Sequence, residues 1–406
     1  MKQQQHSLKR SLSLPLITFY GLGNILGAGI YVLVGKVAGE AGYFAPLAFF
    51  IASIIAAISA FTYAELSARY PVSAGVAAYV YEAFHIRPLA LLVGVLISLA
   101  GIVSSAAIAH GFAGYVQVFV HWPDWLIITL ALFTLGMLAI WGISESLTVA
   151  ALLTVIEIAG LLLIVWVGAE YVVEIPQRLD EQSVSLGVIP WLGVFSGAFL
   201  AFYAYLGFED MVNVAEEAVV PERNMPRAIL LSVVISTLLY AAVVVVAVLV
   251  MSPQQLAQSD APLADVYMTA TGKTPIVISF IGMFAVINGT LIQIVMSSRM
   301  LYGMASRGWL PEFLTYVNPV TRTPVNSTLL VVALVLLFAL LLPLVTLAEL
   351  TSFLVLMVFS LVNLALLRIK KSQPAPKAVK VYSKWVPVAG FVSAFAFLLI
   401  EISSKV

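Results

Sequence analysis

The chain has 406 residues, of which 62% are hydrophobic and only 10% charged, and its mean hydropathy is +1.06. So few polar side chains cannot cover a soluble fold, which leaves a polytopic, all-α membrane protein with no separate soluble domain. Lys plus Arg and Asp plus Glu each number 20, so no nucleic-acid or acidic partner is indicated, and the absence of cysteine excludes disulfides and thiol catalysis.

Lys2, Lys9 and Arg10 precede the first apolar run. That run is too long for a signal-peptide core and lacks a small-x-small cleavage site, so it reads as a retained first span. Hydropathy then predicts about eleven helices, over residues 14–37, 43–64, 88–120, 125–143, 147–169, 190–214, 229–251, 275–306, 325–342, 347–367 and 385–401. With the N-terminus in the cytoplasm, all of the 20 basic residues except Lys36, Arg178, Lys273 and Lys405 fall on the cytoplasmic side. That bias sets the expected orientation, and an odd number of spans puts the C-terminus outside.

The first span carries GLGNILGAGIY at 21–31. Gly21, Gly23, Gly27 and Gly29 weaken the helix by about 1 kcal/mol each against alanine. Backbone that unwinds at membrane depth must line a cavity or hold a ligand. The expectation is that Gly27-Ala28-Gly29, with Ile30 beside it, unwinds and offers N–H groups to a substrate carboxylate. Gly23 and Gly27 also form GxxxG, a helix-packing pattern, so close packing is the competing reading.

Residues 70–84, rich in small and aromatic residues, read as a helix lying along or dipping into the cytoplasmic face, or as a simple connector. Glu65 and Glu349 sit near helix ends and read as interfacial, and His110 as a packing residue. Glu157 lies midway along the fifth span, where a carboxylate costs about 2.5–3.5 kcal/mol to insert. It reads as a proton or cation coupling site, or as a hydrogen-bonded structural glutamate.

The sixth span runs through Phe202-Tyr203-Ala204-Tyr205-Leu206-Gly207-Phe208 to Glu209 and Asp210. A break near Leu206-Gly207 is predicted, which places Glu209 within the membrane layer. Breaks in spans one and six are five spans apart. Two oppositely inserted five-helix halves, 14–169 and 190–367, with an accessory helix at 385–401, would bring them together at the bilayer centre. The whole chain, 1–406, is then one transporter domain. Residues 259–274 have enough helix formers for a short surface helix. No HExxH, P-loop or GxSxG pattern with plausible partners occurs, so an enzyme is a poor fit and no cofactor is called for.

Four stretches together carry a family resemblance: GLGNILGAGIY (21–31), YAELSARYPVSAGVAAYVYEAF (63–84), FYAYLGFEDMVNVAEEAVVPERNMPRAI (202–229), and SSRMLYGMASRGWLP (297–311) with TPVNS (323–327). The chain resembles the amino acid–polyamine–organocation (APC) transporters from about residue 14 to 393. The resemblance implies the LeuT fold, a 5+5 inverted repeat with helices one and six broken, and alternating access. It implies that Gly27, Ala28 and Gly29 take the substrate carboxylate and that Ala204, Tyr205 and Gly207 form the second unwound stretch, whose carbonyls receive the amino group. Asn24 matches a polar position lining the pathway. Tyr203 matches an aromatic that closes over the substrate in the arginine/agmatine antiporter, where a tryptophan stands. Glu209 matches a glutamate linked there to proton-coupled gating. Gln293 replaces a tryptophan facing the substrate side chain, which argues against the antiporter's specificity. Glu157 falls near a lysine that stands in for sodium in some proton-coupled relatives, with the sign reversed here.

The expected function is secondary active transport of an amino acid or amine across the inner or plasma membrane, proton-linked. The alternatives are an obligate exchanger without ion coupling and a receptor that binds an amino acid without moving it.

Overall fold

The computed structural model describes residues 10–72, 75–142, 147–173, 189–374, 376 and 379–404, and these form helices without strands. In chain order the α-helices are α1 Leu14–Ile25, α2 Ala28–Ala41, α3 Ala45–Arg69, α4 Gly75–Phe84, α5 Arg87–Gln117, α6 Asp124–Trp141, α7 Leu147–Val167, α8 Ala169–Val173, α9 Trp191–Phe202, α10 Pro221–Val250, α11 Pro253–Gln258, α12 Pro262–Thr271, α13 Ile276–Ser306, α14 Val325–Leu341, α15 Leu344–Ser372 and α16 Trp385–Ser404. Eight helical stretches are long and apolar enough to cross a membrane, and Leu14–Ile25, Ala151–Val167 and Val325–Leu341 are shorter apolar helices. If α1 and α2 are taken as one interrupted span, and residues 191–217 as another, the described helices follow the expected spans in order.

Several boundaries differ from the hydropathy reading for local reasons. α10 begins at Pro221, not at 229, because proline at the first helical position suits a helix start and charged first turns are invisible to hydropathy. The 259–274 segment is α12, preceded by α11, whose first turn is closed by a reciprocal Ser252–Gln255 capping box. Pro262, Leu263, Ala264 and Val266 are buried, so α12 is packed into the protein rather than laid on its surface. α4 buries Gly75, Val76, Tyr79, Val80 and Ala83, one stripe at helical spacing, against α15 and α5.

Two helix groups organise the interior. α1, α2, α3, α9 and α10 pack on one another, and α5 packs along α13 with α6 and α14 beside them. α15 joins α5 to α16. At the start of α1, the N–H groups of Ser11 and Leu12 both donate to the Glu217 carbonyl at 3.0 Å, and Val219 N–H donates to Leu12 O at 2.9 Å. The chain before α1 is thereby stitched to the far end of the sixth span.

Glu65, near the end of its helix, is held in a charged cluster. It is fully buried at the end of α3, where Oε1 is held by Arg69 at 2.7 Å and Oε2 by Lys370 of α15 at 2.7 Å and by the Tyr382 backbone N–H at 2.9 Å. One turn away Thr62 donates to Asn363 Oδ1 at 2.6 Å, and Asn363 donates on to the Phe359 carbonyl. Charge and amide together fix α3 to α15. His110 Nε2 lies 3.1 Å from the Leu342 carbonyl, which agrees with a packing role.

Candidate functional site

The first span breaks at Leu26–Gly27. Leu26 still closes a helical bond to Leu22 O at 2.8 Å, whereas Gly27 has φ −69° and ψ −137° and belongs to neither helix. The expected unwinding over Gly27-Ala28-Gly29 is therefore corrected. Ala28, Gly29 and Ile30 form the first turn of α2, and Gly27 alone of the three is outside a helix. Gly29 is there for proximity rather than for unwinding. A Cβ on it would run into the Ala204 backbone and lie 2.7 Å from Ala204 Cβ.

The second break falls at Leu206–Gly207. α9 tightens into a 3₁₀ turn at Tyr203–Tyr205, Leu206 is extended, and Gly207 has φ +120°, which only glycine adopts at no cost. The chain then resumes as a 3₁₀ helix over Phe208–Glu217. Gly207 backs onto Asn24, where a Cβ would meet the Asn24 carbonyl group and lie 3.0 Å from its Cβ. The two breaks thus touch twice, Gly29 to Ala204 and Asn24 to Gly207.

Four half-helix ends meet at this point, and they are not equivalent. α1 and α9 present their C-terminal carbonyls, the negative ends of the helix dipoles. Tyr240 of α10 reaches both groups, its hydroxyl 2.6 Å from Ile25 O and 2.9 Å from Ala204 O. The 3₁₀ helix presents its positive end, and that end is closed internally: Gly207 N–H donates to Glu209 Oε2 at 2.8 Å. α2 also presents a positive end, its N-cap Gly27 has no side chain to close it, and among the described residues no side-chain hydrogen bond is made to its first turn. The first-turn N–H groups of α2, over Ala28–Ile30, are open donors at this junction.

Side chains enclose the junction. The Tyr203 hydroxyl pairs with Ser104 Oγ of α5 at 2.9 Å and lies 3.2 Å from the Ser104 carbonyl, so Tyr203 spans from the sixth span to α5. Tyr205 turns the other way and packs edge-on to Tyr240, with ring centroids 5.2 Å apart. Asn24 Nδ2 is buried, and its amide lies beside the Tyr20 hydroxyl. Tyr115 of α5 donates to the Tyr31 carbonyl, and the Tyr31 hydroxyl donates to the Glu157 carbonyl of α7, both at 2.7 Å. The Glu157 side chain is 2% exposed and lies within electrostatic reach of the Tyr31 and Tyr240 hydroxyls.

Glu209 and Asp210 are 6% and 9% exposed. Asp210 accepts from Gln293 Nε2 of α13 at 3.1 Å. Where α13 passes Gly27 its nearest group is the Ala285 carbonyl, and Gln293 lies eight residues further on, about 12 Å along the axis. Gln293 therefore stands beside the 3₁₀ helix and α5, not at the Gly29–Ala204 contact.

The amino acid permease family model matches residues 12–403, nearly the whole chain and both breaks. The chain belongs to the amino acid permease family. It is a multi-pass membrane transporter rather than an enzyme. Among characterised relatives, it is 31% identical to the branched-chain amino acid permease of Bacillus subtilis (strain 168), over 98% of this chain and 88% of that protein. It is 29% identical to the methylthioribose transporter of the same organism, over 97% of this chain and 88% of the relative. It is also 29% identical to cationic amino acid transporter 4, vacuolar, of Arabidopsis thaliana, over 91% of this chain but 64% of the relative.

Of the residues singled out in the sequence, the fold brings Asn24, Gly27, Ala28, Gly29, Ile30, Ala204 and Gly207 to one junction, with Tyr203 and Tyr205 leaving it in opposite directions. Glu209 closes its own backbone, and Gln293 stands apart with Asp210. Sequence reasoning missed Tyr240, Ser104 and Asp210. Tyr240 and Ser104 sit inside uninterrupted apolar helices, where a tyrosine or serine gives no signal. Asp210 was visible only as the second half of a charged pair.

Proposed function

We propose that the chain carries a zwitterionic amino acid across the membrane by alternating access. The carboxylate binds the uncapped first turn of α2, at the N–H groups of Ala28, Gly29 and Ile30. The ammonium binds the carbonyl ends of α1 and α9, near Ile25, Ala204 and Tyr205. The observation that carries the reading is the sorting of the four half-helix ends: two negative ends lie together, one positive end is closed by Glu209, and one positive end is open. A molecule with a carboxylate and an ammonium on one carbon matches that pattern.

Tyr203 covers the substrate and is released from Ser104 when the site opens. Transport is secondary active and proton-linked, with Glu209 the first candidate for the proton-carrying group and Glu157 the second. Movement is a rocking of the α1, α2, α3, α9 and α10 group against α5, α6, α13 and α14, in a LeuT-type inverted repeat of 14–169 and 190–367. The N-terminus is cytoplasmic in the inner or plasma membrane. The groups at the junction are small, aromatic or amide, which favours neutral substrates, in keeping with the branched-chain amino acid permease among the relatives.

Gly27→Val tests the carboxylate assignment. A Cβ there meets only the Ala285 carbonyl at 3.6 Å, so the variant has room to fold, while its methyl groups crowd the first turn of α2. Binding of labelled amino acids to the purified variant is expected to be lost. Normal affinity refutes the assignment. Uptake of an amino-acid panel into proteoliposomes with and without a proton gradient separates proton-linked transport from obligate exchange, in which counterflow ignores the gradient. Tight binding without flux identifies a receptor.

A further inference from the structure

Tyr240 is a fully buried tyrosine in the middle of α10, and none of the chemistry above requires its hydroxyl. Its ring is clamped by edge-on contacts with Tyr205, 5.2 Å away, and Phe49 of α3, 6.0 Å away. The hydroxyl is thereby held between Ile25 O at 2.6 Å and Ala204 O at 2.9 Å. These carbonyls belong to the two broken spans, and both lie where a helix has run out of partners. A tyrosine has one hydrogen to give. Shared between two carbonyls, it satisfies the nearer one and leaves lone-pair capacity on both, most of all on Ala204. Two inward-pointing carbonyls repel each other and would splay apart without a donor between them. The hydroxyl keeps them converged on one point, with the Glu157 carboxyl group within electrostatic reach.

We propose that Tyr240 is a positioning residue for the substrate ammonium: its hydroxyl holds the Ile25 and Ala204 carbonyls at one focus, so that a cationic N–H donor meets both. This rests on the amino-acid reading above and assigns how that site distinguishes an α-amino group from an uncharged substituent. A hydroxyl in place of the ammonium brings one donor and no charge to a focus built for several donors.

The test is a competition assay on the purified full chain, comparing an amino acid with the 2-hydroxy acid of the same side chain. The wild type is expected to prefer the amino acid. In Tyr240→Phe, which keeps the ring and its packing, that preference is expected to fall about tenfold, the loss of one well-placed hydrogen bond to the geometry of a charged group. A purely structural role would weaken both ligands alike and leave their ratio unchanged, and an unchanged ratio overturns the proposal. If Tyr240→Phe yields no monodisperse protein, Phe49→Leu loosens the same ring while keeping the hydroxyl. It is expected to lower the ratio in the same direction, and its failure to do so overturns the proposal equally. Failure of the wild type to bind any amino acid would instead count against the transport reading itself.

Discussion

Gly29 lies against Ala204 with no room for a side chain between them, so the start of α2 and the end of the first half of the sixth span share one backbone contact. The partner contact, Gly207 on Asn24, sits on the opposite side of the break. Between them these two glycines set how closely the carbonyl ends and the open helix start can approach. Gly29→Ala must push α2 off Ala204, and Gly207→Ala must in addition accept a φ of +120°. Each substitution is expected to cut amino-acid uptake at least tenfold while the protein still reaches the membrane. Uptake within twofold of wild type in Gly29→Ala would show that the close approach is not needed.

The Tyr203–Ser104 pair predicts a gating phenotype. Ser104→Ala removes the side-chain half of the latch and leaves Tyr203 with the Ser104 carbonyl. A single buried hydrogen bond of about 1 kcal/mol corresponds to about a fivefold change in an equilibrium. Exchange rates in proteoliposomes are expected to rise by about that factor, with a matching rise in KM as the closed, substrate-covering state is destabilised. A variant with unchanged exchange and unchanged KM would remove Tyr203 from the gate.

Glu65 predicts a stability effect separate from transport chemistry. Lys370→Met leaves a carboxylate at 0% exposure with Arg69 and the Tyr382 N–H but without its partner on α15. Breaking a buried pair from one side costs roughly 3–5 kcal/mol. The thermal melting temperature in detergent is expected to fall by several degrees, and Glu65→Gln with Lys370→Met together should recover part of that loss. If the double variant melts below the single one, the cluster is not acting as a pair.

Proton linkage is separable by residue. Glu209 faces its own Gly207 N–H, Asp210 and the Tyr63 hydroxyl, and Asp210 in turn faces Gln293, while Glu157 faces Tyr31 and Tyr240. Glu209→Gln is expected to retain binding and lose the dependence of uptake on external pH; if Glu157 is the coupling residue instead, Glu157→Gln shows that loss. Full pH dependence in either variant takes that residue out of the coupling.

The sequence by itself was enough for the membrane class, the order of the spans and the existence of two breaks. Those follow from local quantities: runs of apolar residues set the spans, and glycine density with a Leu-Gly step before paired acids sets the breaks. It left α4 open between a helix and a connector, and the structure decides for the helix, with a buried stripe at helical spacing. It did not show that Gly29 is helical, because a glycine required for close approach and a glycine required for unwinding look the same in one dimension. It did not show that Glu65 is buried and paired, because distance from a helix end says nothing about Lys370 arriving from a segment 305 positions away. The roles of Tyr240 and Ser104 were decided by tertiary structure alone. A hydroxyl in an apolar helix acquires meaning only when packing sets it against a carbonyl from another span, and that meeting depends on how three helices cross, which no local pattern encodes.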